Sequence, residues 1–148
     1  MTDRRQQIPP GFEPGAGHSR FSRFLGPYHV AEFPGEDGGS DYWIGLKIDE
    51  RHAGRGNYGH GAVLLSMLDE IMGHAATRSV DRVCVTVSMQ TNFCEPFELG
   101  DFLRATAVVM RRGNSLVFME GKVLAGDSLI ATASGVWANS GKPIPTTP

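Results

Sequence analysis

Residues 61–79 read GAVLLSMLDEIMGHAATRS, and this stretch decides the fold. Its apolar side chains recur at helical spacing and cover most of the circumference, which predicts a helix from Gly61 to about Ser79. A helix that is apolar nearly all round is buried inside its domain. The rest of the chain therefore has to enclose one long helix.

Runs rich in β-forming residues stand on both sides of this helix. They are separated by turn signals and cover residues 28–33, 42–48, 82–93, 102–111, 115–124 and 128–137. A short helix is expected over 19–25, where Gly26-Pro27 stops the apolar run. A hairpin, one buried helix and a meander of strands predict an α+β fold in which an antiparallel sheet wraps around the central helix.

Length and composition fit one domain, since the chain has 148 residues of which 41% are hydrophobic. We expect this domain to span residues 19–138. Residues 1–18 are rich in proline and glycine and predict a flexible N-terminal tail, which orders only against a partner subunit if at all. Residues 139–148 predict a C-terminal tail.

The charge balance argues against several classes of partner. The formal net charge is −2, so no basic surface indicates nucleic-acid or membrane binding. The chain has no run of the ~18 apolar residues that cross a membrane and no apolar signal segment, which favours a cytoplasmic protein.

Cys84 and Cys94 have neither metal-site nor disulfide spacing, so we expect buried thiols, no metal and no cofactor.

A glycine-rich loop, HAGRGNYGHG from His52 to Gly61, leads into the long helix. Free N–H groups in the first turn, with the helix dipole behind them, suit a carbonyl oxygen that becomes negative in a transition state. The alternative is a tight loop that satisfies its own backbone. His52 and His60 are expected to fix this loop by hydrogen bonds rather than to act as bases.

Asp69 is set among apolar residues in the middle of the helix. An ionised carboxylate there is costly unless it is paired, which predicts an altered pKa and a chemical role. Alternatively, Asp69 shares a solvated stripe with Glu70, which we expect there in either case. His60 and Asp69 are nine residues apart, about 13 Å along a helix, so a site that uses both needs two antiparallel chains in a symmetric dimer.

These residues resemble the PaaI-like (phenylacetate-pathway) acyl-CoA thioesterases of the hotdog superfamily. Their signature is roughly RHxNxRGxxHGG, with an Asp nine residues after the second His. This chain reads RHAGRGNYGHGA from Arg51 to Ala62, with Asp69 following. Further matches lie between about Phe21 and Trp137, in FLGP, TVSMQTNFCEPFELGD, RRGNSLVFMEGKV and LIATASGVWA. The resemblance implies a hotdog fold.

The resemblance also implies an activity, the hydrolysis of an acyl-CoA thioester by a dimer or a dimer of dimers. In that scheme the N–H of Gly61, beside His60, polarises the thioester carbonyl. Asp69 of the neighbouring chain acts as general base on water or as nucleophile. Thr86 falls where the family often has a hydroxyl that holds the water or the carboxylate, although a strand threonine is also a plain β-former.

Two positions depart from the family's pattern. Gly54 stands in place of the usual Asn, and Ala62 replaces the second glycine of HGG. Either Asn57 takes over the polar role through a shifted loop, or that contact is missing. Gly54 therefore keeps open a second function, that of a catalytically weak acyl-CoA-binding protein. A hotdog hydratase ranks lower because the characteristic loops of those families are absent.

A basic turn, Arg111-Arg112-Gly113-Asn114-Ser115, is the candidate for contacting the coenzyme A part of the substrate. Its side chains and N–H groups suit phosphate or pantetheine. The alternative, with equal weight, is an ordinary solvated hairpin tip that binds no ligand. The mix of methionine and phenylalanine, including Phe93 and Phe97, permits a medium-chain or an aryl acyl group.

Overall fold

The computed structural model describes residues 4, 7–15 and 19–146. The described residues form two α-helices and seven strands: β1 (Glu13–Pro14), α1 (Arg20–Leu25), β2 (Tyr28–Pro34), β3 (Ser40–Lys47), α2 (Gly61–Val80), β4 (Cys84–Phe93), β5 (Phe102–Arg112), β6 (Leu116–Ala125) and β7 (Ser128–Asn139). A 3₁₀ turn, Glu50–His52, precedes α2. The helices and strands predicted from the sequence are all present, with bounds within two residues of those expected.

The seven strands make one antiparallel sheet in the order β1-β2-β3-β5-β6-β7-β4. The strand that follows α2, β4, crosses to the far edge of the sheet and pairs there with β7. Within the described chain its other edge has no partner strand. The predicted α+β layout, a sheet around one central helix, is confirmed.

The two sides of α2 differ in exposure. On the sheet side, Met67, Leu68 and Met72 are fully buried. On the opposite side, Leu65 is 39% exposed and Asp69 is exposed as well. The expectation of a helix buried all round is thus wrong for one chain, because the sheet of that chain covers only one side.

Part of the expected N-terminal tail packs on the outer face of the sheet, the side away from α2. Strand β1 pairs with β2, and Phe12 is only 8% exposed. Its ring joins Ala31, Trp43 and Phe102 in a small second core. The expectation of a loose tail is corrected here, because Phe12 fills an apolar gap on its own chain. Residues 1–3, 5–6 and 16–18 of that expected tail lie outside the described residues.

The expected C-terminal tail starts within the sheet. Strand β7 runs on to Asn139, and backbone hydrogen bonds of 3.0 Å then join Val83 to Ser140 and to Lys142. Residues 140–146 are exposed.

Candidate functional site

Two loops face each other at the start of α2, residues 52–60 and 94–101. The N–H of Gly59 donates to the carbonyl of Phe97 at 2.8 Å, and the N–H of Leu99 donates to the carbonyl of Asn57 at 2.9 Å. A Cβ on Gly59 would come within 1.9 Å of the Phe97 ring, so only glycine fits there. The glycine-rich loop thus satisfies much of its own backbone and also sets the position of Gly61.

His52 is the buried anchor of this loop, with 1% of its surface exposed. Its Nδ1 accepts from the N–H of Asp49 at 3.0 Å, which leaves Nε2 to donate to the carbonyl of Leu25 at 2.7 Å. Its own carbonyl accepts from the N–H of His60 at 2.7 Å. His52 therefore fixes the loop by hydrogen bonds, as predicted.

Helix α2 begins at Gly61, with His60 as its N-cap. The Nδ1 of His60 accepts from the N–H of Ala62 at 3.0 Å, so this histidine also serves the loop geometry. Among the described residues, the N–H of Gly61 has no acceptor. The first turn of α2 therefore keeps a donor that is available to a ligand.

Gly61 opens on a depression of about 310 Å³. A Cβ on Gly61 would lie 3.5 Å from the ring of Phe93, an ordinary contact. The depression is lined by Gly59, Gly61, Leu64, Phe93, Cys94, Glu95, Pro96 and Phe97. Its walls are mostly apolar, which suits the uncharged part of a ligand bound at the Gly61 N–H.

Asp69 lies on the open side of α2 and contacts β4. The hydroxyl of Thr86 donates to its Oδ1 at 2.6 Å. Strand β4 has a bulge directly after Thr86, where Val87 has no position opposite it on β7. Thr86 pairs with Trp137 and so lies on the sheet face that meets α2. The structure thus brings Thr86 and Asp69 together, but in solvent rather than in the apolar setting expected for Asp69.

Glu70, next to Asp69, does not lie on a solvated stripe, and that expectation is wrong. It is partly buried beneath α1, where the hydroxyl of Ser22 donates to its Oε2 at 2.7 Å. Burial raises the pKa of Tyr28 well above its usual range, and the charge of Glu70 adds to this effect. Glu70 is therefore part of the packing between the two helices.

Of the two positions that depart from the family's pattern, Ala62 lies in the first turn of α2 and Gly54 lies in the loop before it, together with Asn57. Asn57 is exposed and belongs to a turn closed by the N–H of Tyr58 on the carbonyl of Arg55 at 3.2 Å. A Cβ on Gly54 would lie 3.3 Å from the Cα of His60. A larger residue at position 54 would therefore press on the N-cap of α2.

The basic turn lies at the other end of α2. The guanidinium of Arg112 donates to the carbonyl of Ser79 at 2.5 Å and so caps the last turn of the helix. Since α2 has 20 residues, about 28 Å of helix separates this end from Gly61. The turn formed by Arg111, Arg112, Gly113, Asn114 and Ser115 and the Gly61 N–H are thus not brought together within one chain.

One buried contact beside the site escaped the sequence reasoning. The carboxylate of Asp101, 3% exposed, accepts from the guanidinium of Arg4 at 3.3 Å and from the N–H of Glu98 at 2.9 Å. Arg4 also donates to the carbonyl of Pro96 at 2.9 Å. This contact braces the 94–101 loop, and its only sequence signal is an Asp after a turn glycine.

The cysteines and the other side chains of metal-binding type add little chemistry to this site. Cys84 is half-buried, and burial raises the pKa of its thiol. Cys94 is exposed at the rim of the Gly61 depression, so the expectation that it is buried is wrong. In the part of the chain that the structure describes, His, Cys, Asp and Glu side chains form no group of three that suits a metal ion. No described helix is long and apolar enough to cross a bilayer.

The chain is similar to known proteins of one family. A family described as "Thioesterase superfamily" matches residues 56–132, which include Gly61, Asp69 and Thr86. A Pseudomonas aeruginosa protein named "Putative esterase PA0474" is 31% identical over 132 residues, which cover 88% of this chain and 96% of that protein.

Solved structures share the fold. The Escherichia coli PaaI protein superposes with a TM-score of 0.74 at 17% identity, over 86% of this chain and 89% of that one. Zebrafish Thioesterase Superfamily Member 2 superposes with a TM-score of 0.72 at 24% identity, over 84% of this chain and 90% of that one. The Bacillus halodurans protein BH2602, solved with CoA, superposes with a TM-score of 0.64 at 25% identity, over 74% of this chain and 73% of that one. The chain therefore has the hotdog fold, belongs to the thioesterase superfamily with PaaI-like relatives, and is a thioester hydrolase.

Proposed function

We propose that this protein hydrolyses the thioester of a medium-chain or aryl acyl-CoA in a site shared by two chains. One observation carries the proposal: α2 bears a free N–H at Gly61 and, on its uncovered side, the Asp69 carboxylate held by Thr86. Gly61 and Asp69 are eight residues apart, which corresponds to about 12 Å of helix. An antiparallel second α2 would bring Asp69 of the partner subunit opposite Gly61.

The exposed apolar surface supports a second copy of the chain as the partner. Val85 and Val87 on the free edge of β4 are 56% and 60% exposed, and Leu65 on α2 lies on the same side as Asp69. An unpaired apolar edge strand invites pairing with another chain. A dimer through β4 and α2 covers this surface and completes the site. A dimer of dimers would need a further contact.

The reaction follows from where charge develops. The thioester oxygen accepts from the Gly61 N–H, which with the helix dipole stabilises the negative oxygen of the tetrahedral intermediate. Asp69 of the partner subunit takes a proton from water as the hydroxide adds to the carbonyl carbon. The intermediate then expels the thiolate of coenzyme A and leaves a carboxylic acid. In the alternative route, the Asp69 carboxylate itself attacks the carbonyl and water hydrolyses the resulting anhydride.

In this proposal coenzyme A is part of the substrate. The similar protein BH2602, which was solved with CoA, supports a coenzyme A thioester as the substrate. The basic turn Arg111–Ser115 stays our candidate for its phosphate or pantetheine groups. In the antiparallel dimer, the partner's turn would lie about 15 Å along the helix beyond its Asp69. That position is past the N-terminus of the first chain's α2, on the side from which the coenzyme would approach.

The first test is thiol release from short, medium-chain and aryl acyl-CoAs. We expect Asp69→Ala to lower kcat by ~10²-fold or more, the scale of a lost base or nucleophile. Gly61→Pro removes the N–H while keeping a residue that suits the first helical position, and it should cost a similar factor. The matched control is Gly61→Ala, which keeps the N–H. Equal activity of the two Gly61 variants would contradict the oxyanion role.

Subunit mixing tests whether two chains share the site. A heterodimer of Asp69→Ala and Gly61→Pro chains has one site with both groups intact, although each parent dimer has none. Co-refolding the two inactive variants should therefore restore activity. If each site belonged to a single chain, every site in the mixture would be damaged and no activity would return.

The second candidate function is a catalytically weak acyl-CoA-binding protein, kept open by Gly54 at the loop that holds His60. An acyl-CoA would raise the melting temperature of such a protein, and the protein would release no thiol from it. A hydrolase releases thiol under the same conditions. The cytoplasmic location stays a prediction.

A further inference from the structure

The depression at Gly61 has one charged side chain in its lining. Of the eight residues around it, seven are glycine, cysteine, proline or apolar, and the eighth is Glu95. The side chain of Glu95 is 50% exposed, so its carboxylate keeps its contact with water at the rim. The depression thus combines apolar walls with a single acidic group.

The nearby cations do not balance this acid. Arg4 lies 3.6 Å from the Glu95 carboxylate, but its guanidinium also contacts the buried carboxylate of Asp101, at 3.3 Å. Lys47 donates to a backbone carbonyl of the same loop. The 94–101 loop carries three acids and no basic residue. Three carboxylates that share two contacting cations leave one negative charge in excess beside the depression.

The depression suits the acyl arm of a thioester whose carbonyl lies at the Gly61 N–H. The coenzyme arm carries phosphate charges, which Glu95 would repel, and its polar pantetheine finds few partners on apolar walls. A space of about 310 Å³ is about 8 Å across. It accepts a six-carbon acyl chain, whose two ends lie about 6 Å apart when extended. The far end of such a chain therefore comes within about 8 Å of Glu95.

We propose that Glu95 is a specificity-determining residue that excludes acyl groups ending in a carboxylate. The substrates are then thioesters of uncharged acyl groups, an inference that rests on the proposed function. Two like charges about 6–8 Å apart in this half-open space repel enough to lower kcat/KM about tenfold. An uncharged chain of equal length meets only apolar wall and avoids this repulsion. A like charge placed against one substrate class is a general route to specificity.

The test compares kcat/KM for hexanoyl-CoA and adipoyl-CoA, which share six acyl carbons and differ in a terminal carboxylate. Wild type should prefer hexanoyl-CoA by about tenfold or more. Glu95→Gln keeps the shape and removes the charge, so it should close most of that gap, and Glu95→Lys should reverse the preference. The matched control is Glu50→Gln, the same change at an exposed residue of the 3₁₀ turn, outside the depression. It should keep the wild-type gap.

The remaining outcomes count against the inference or against the proposed function. Equal rates of wild type on both substrates, or an unchanged gap in Glu95→Gln, would overturn the role of Glu95. Closure of the gap by Glu50→Gln as well would assign the effect to net charge, with the same consequence. If wild type releases no thiol from any acyl-CoA, the proposed function fails instead.

Glu95 is then judged by binding alone. Hexanoyl-CoA must raise the melting temperature of wild type more than adipoyl-CoA does, and Glu95→Gln must remove that difference. Equal shifts by the two thioesters in wild type would overturn the inference independently of turnover.

Discussion

The two sides of α2 are both apolar in sequence and have opposite surroundings. On the sheet side, Met67 and Leu68 are 0% exposed. On the open side, Leu65 is 39% exposed and stands near Asp69 and its Thr86 contact. The first side holds one chain together, whereas the second carries the candidate chemistry. An apolar side that the chain's own sheet leaves exposed is what the proposed dimer would cover, so the apolar circumference of α2 fits burial by two chains better than burial by one.

The largest expected effect is on the buried side. Leu68→Ala should lower the free energy of unfolding by about 2–5 kcal/mol, because it removes buried methyl groups and leaves a cavity. Leu65→Ala at low protein concentration should change it by only about 0.5 kcal/mol. Urea titrations of both variants measure the contrast. Equal losses in dilute protein would show that the two sides are buried alike.

A charge on the open side should break the assembly and leave the fold intact. Leu65→Asp buries an unpaired carboxylate in the proposed dimer, and a cost of several kcal/mol would raise the dissociation constant about a hundredfold or more. Sedimentation should show monomers, with thiol release lost and circular dichroism unchanged. Val108→Asp, on the outer face of the sheet, is the control. A dimeric Leu65→Asp protein would refute this placement of the interface.

The hydrogen bond from Thr86 to Asp69 offers a smaller test on the same side. Thr86→Val removes the hydroxyl at nearly constant volume and should lower kcat about tenfold, the size of one charge-assisted hydrogen bond. Thr86→Ser keeps the hydroxyl and should retain most of the activity. If valine and serine behave alike, the 2.6 Å contact does not orient the carboxylate.

The smallest effect concerns the flank of α2 beneath α1. Burial, and then Glu70, raise the pKa of Tyr28, so the native state keeps this proton where the unfolded chain loses it. The stability that the protonated Tyr28 hydroxyl contributes is complete below the unfolded pKa of about 10, and it is lost as the pH rises above that value. Between about pH 9 and 11, the free energy of unfolding should fall less in Tyr28→Phe than in wild type. Identical pH dependence would mean that Tyr28 ionises normally.

Short-range patterns predicted much of the candidate site. The spacing of His60, Gly61 and Asp69 in the chain placed two candidate groups on one helix and predicts that a site that uses both needs a second chain. Long-range contacts escaped this reasoning. Arg4 and Asp101 are 97 residues apart, and nothing in either neighbourhood indicates their pairing. Glu70 was misplaced for the same reason, since its partner Ser22 lies on a different helix, 48 residues away.

By itself the sequence determined the helices, the strands, the α+β order and the N–H at the start of α2. These follow from periodicity, turn residues and backbone chemistry, which act over a few residues. Only the tertiary structure decided which side of α2 stays open, that Thr86 contacts Asp69, and that Glu95 lines the Gly61 depression. Those outcomes depend on how a curved sheet covers a helix, because burial is settled by packing between distant segments.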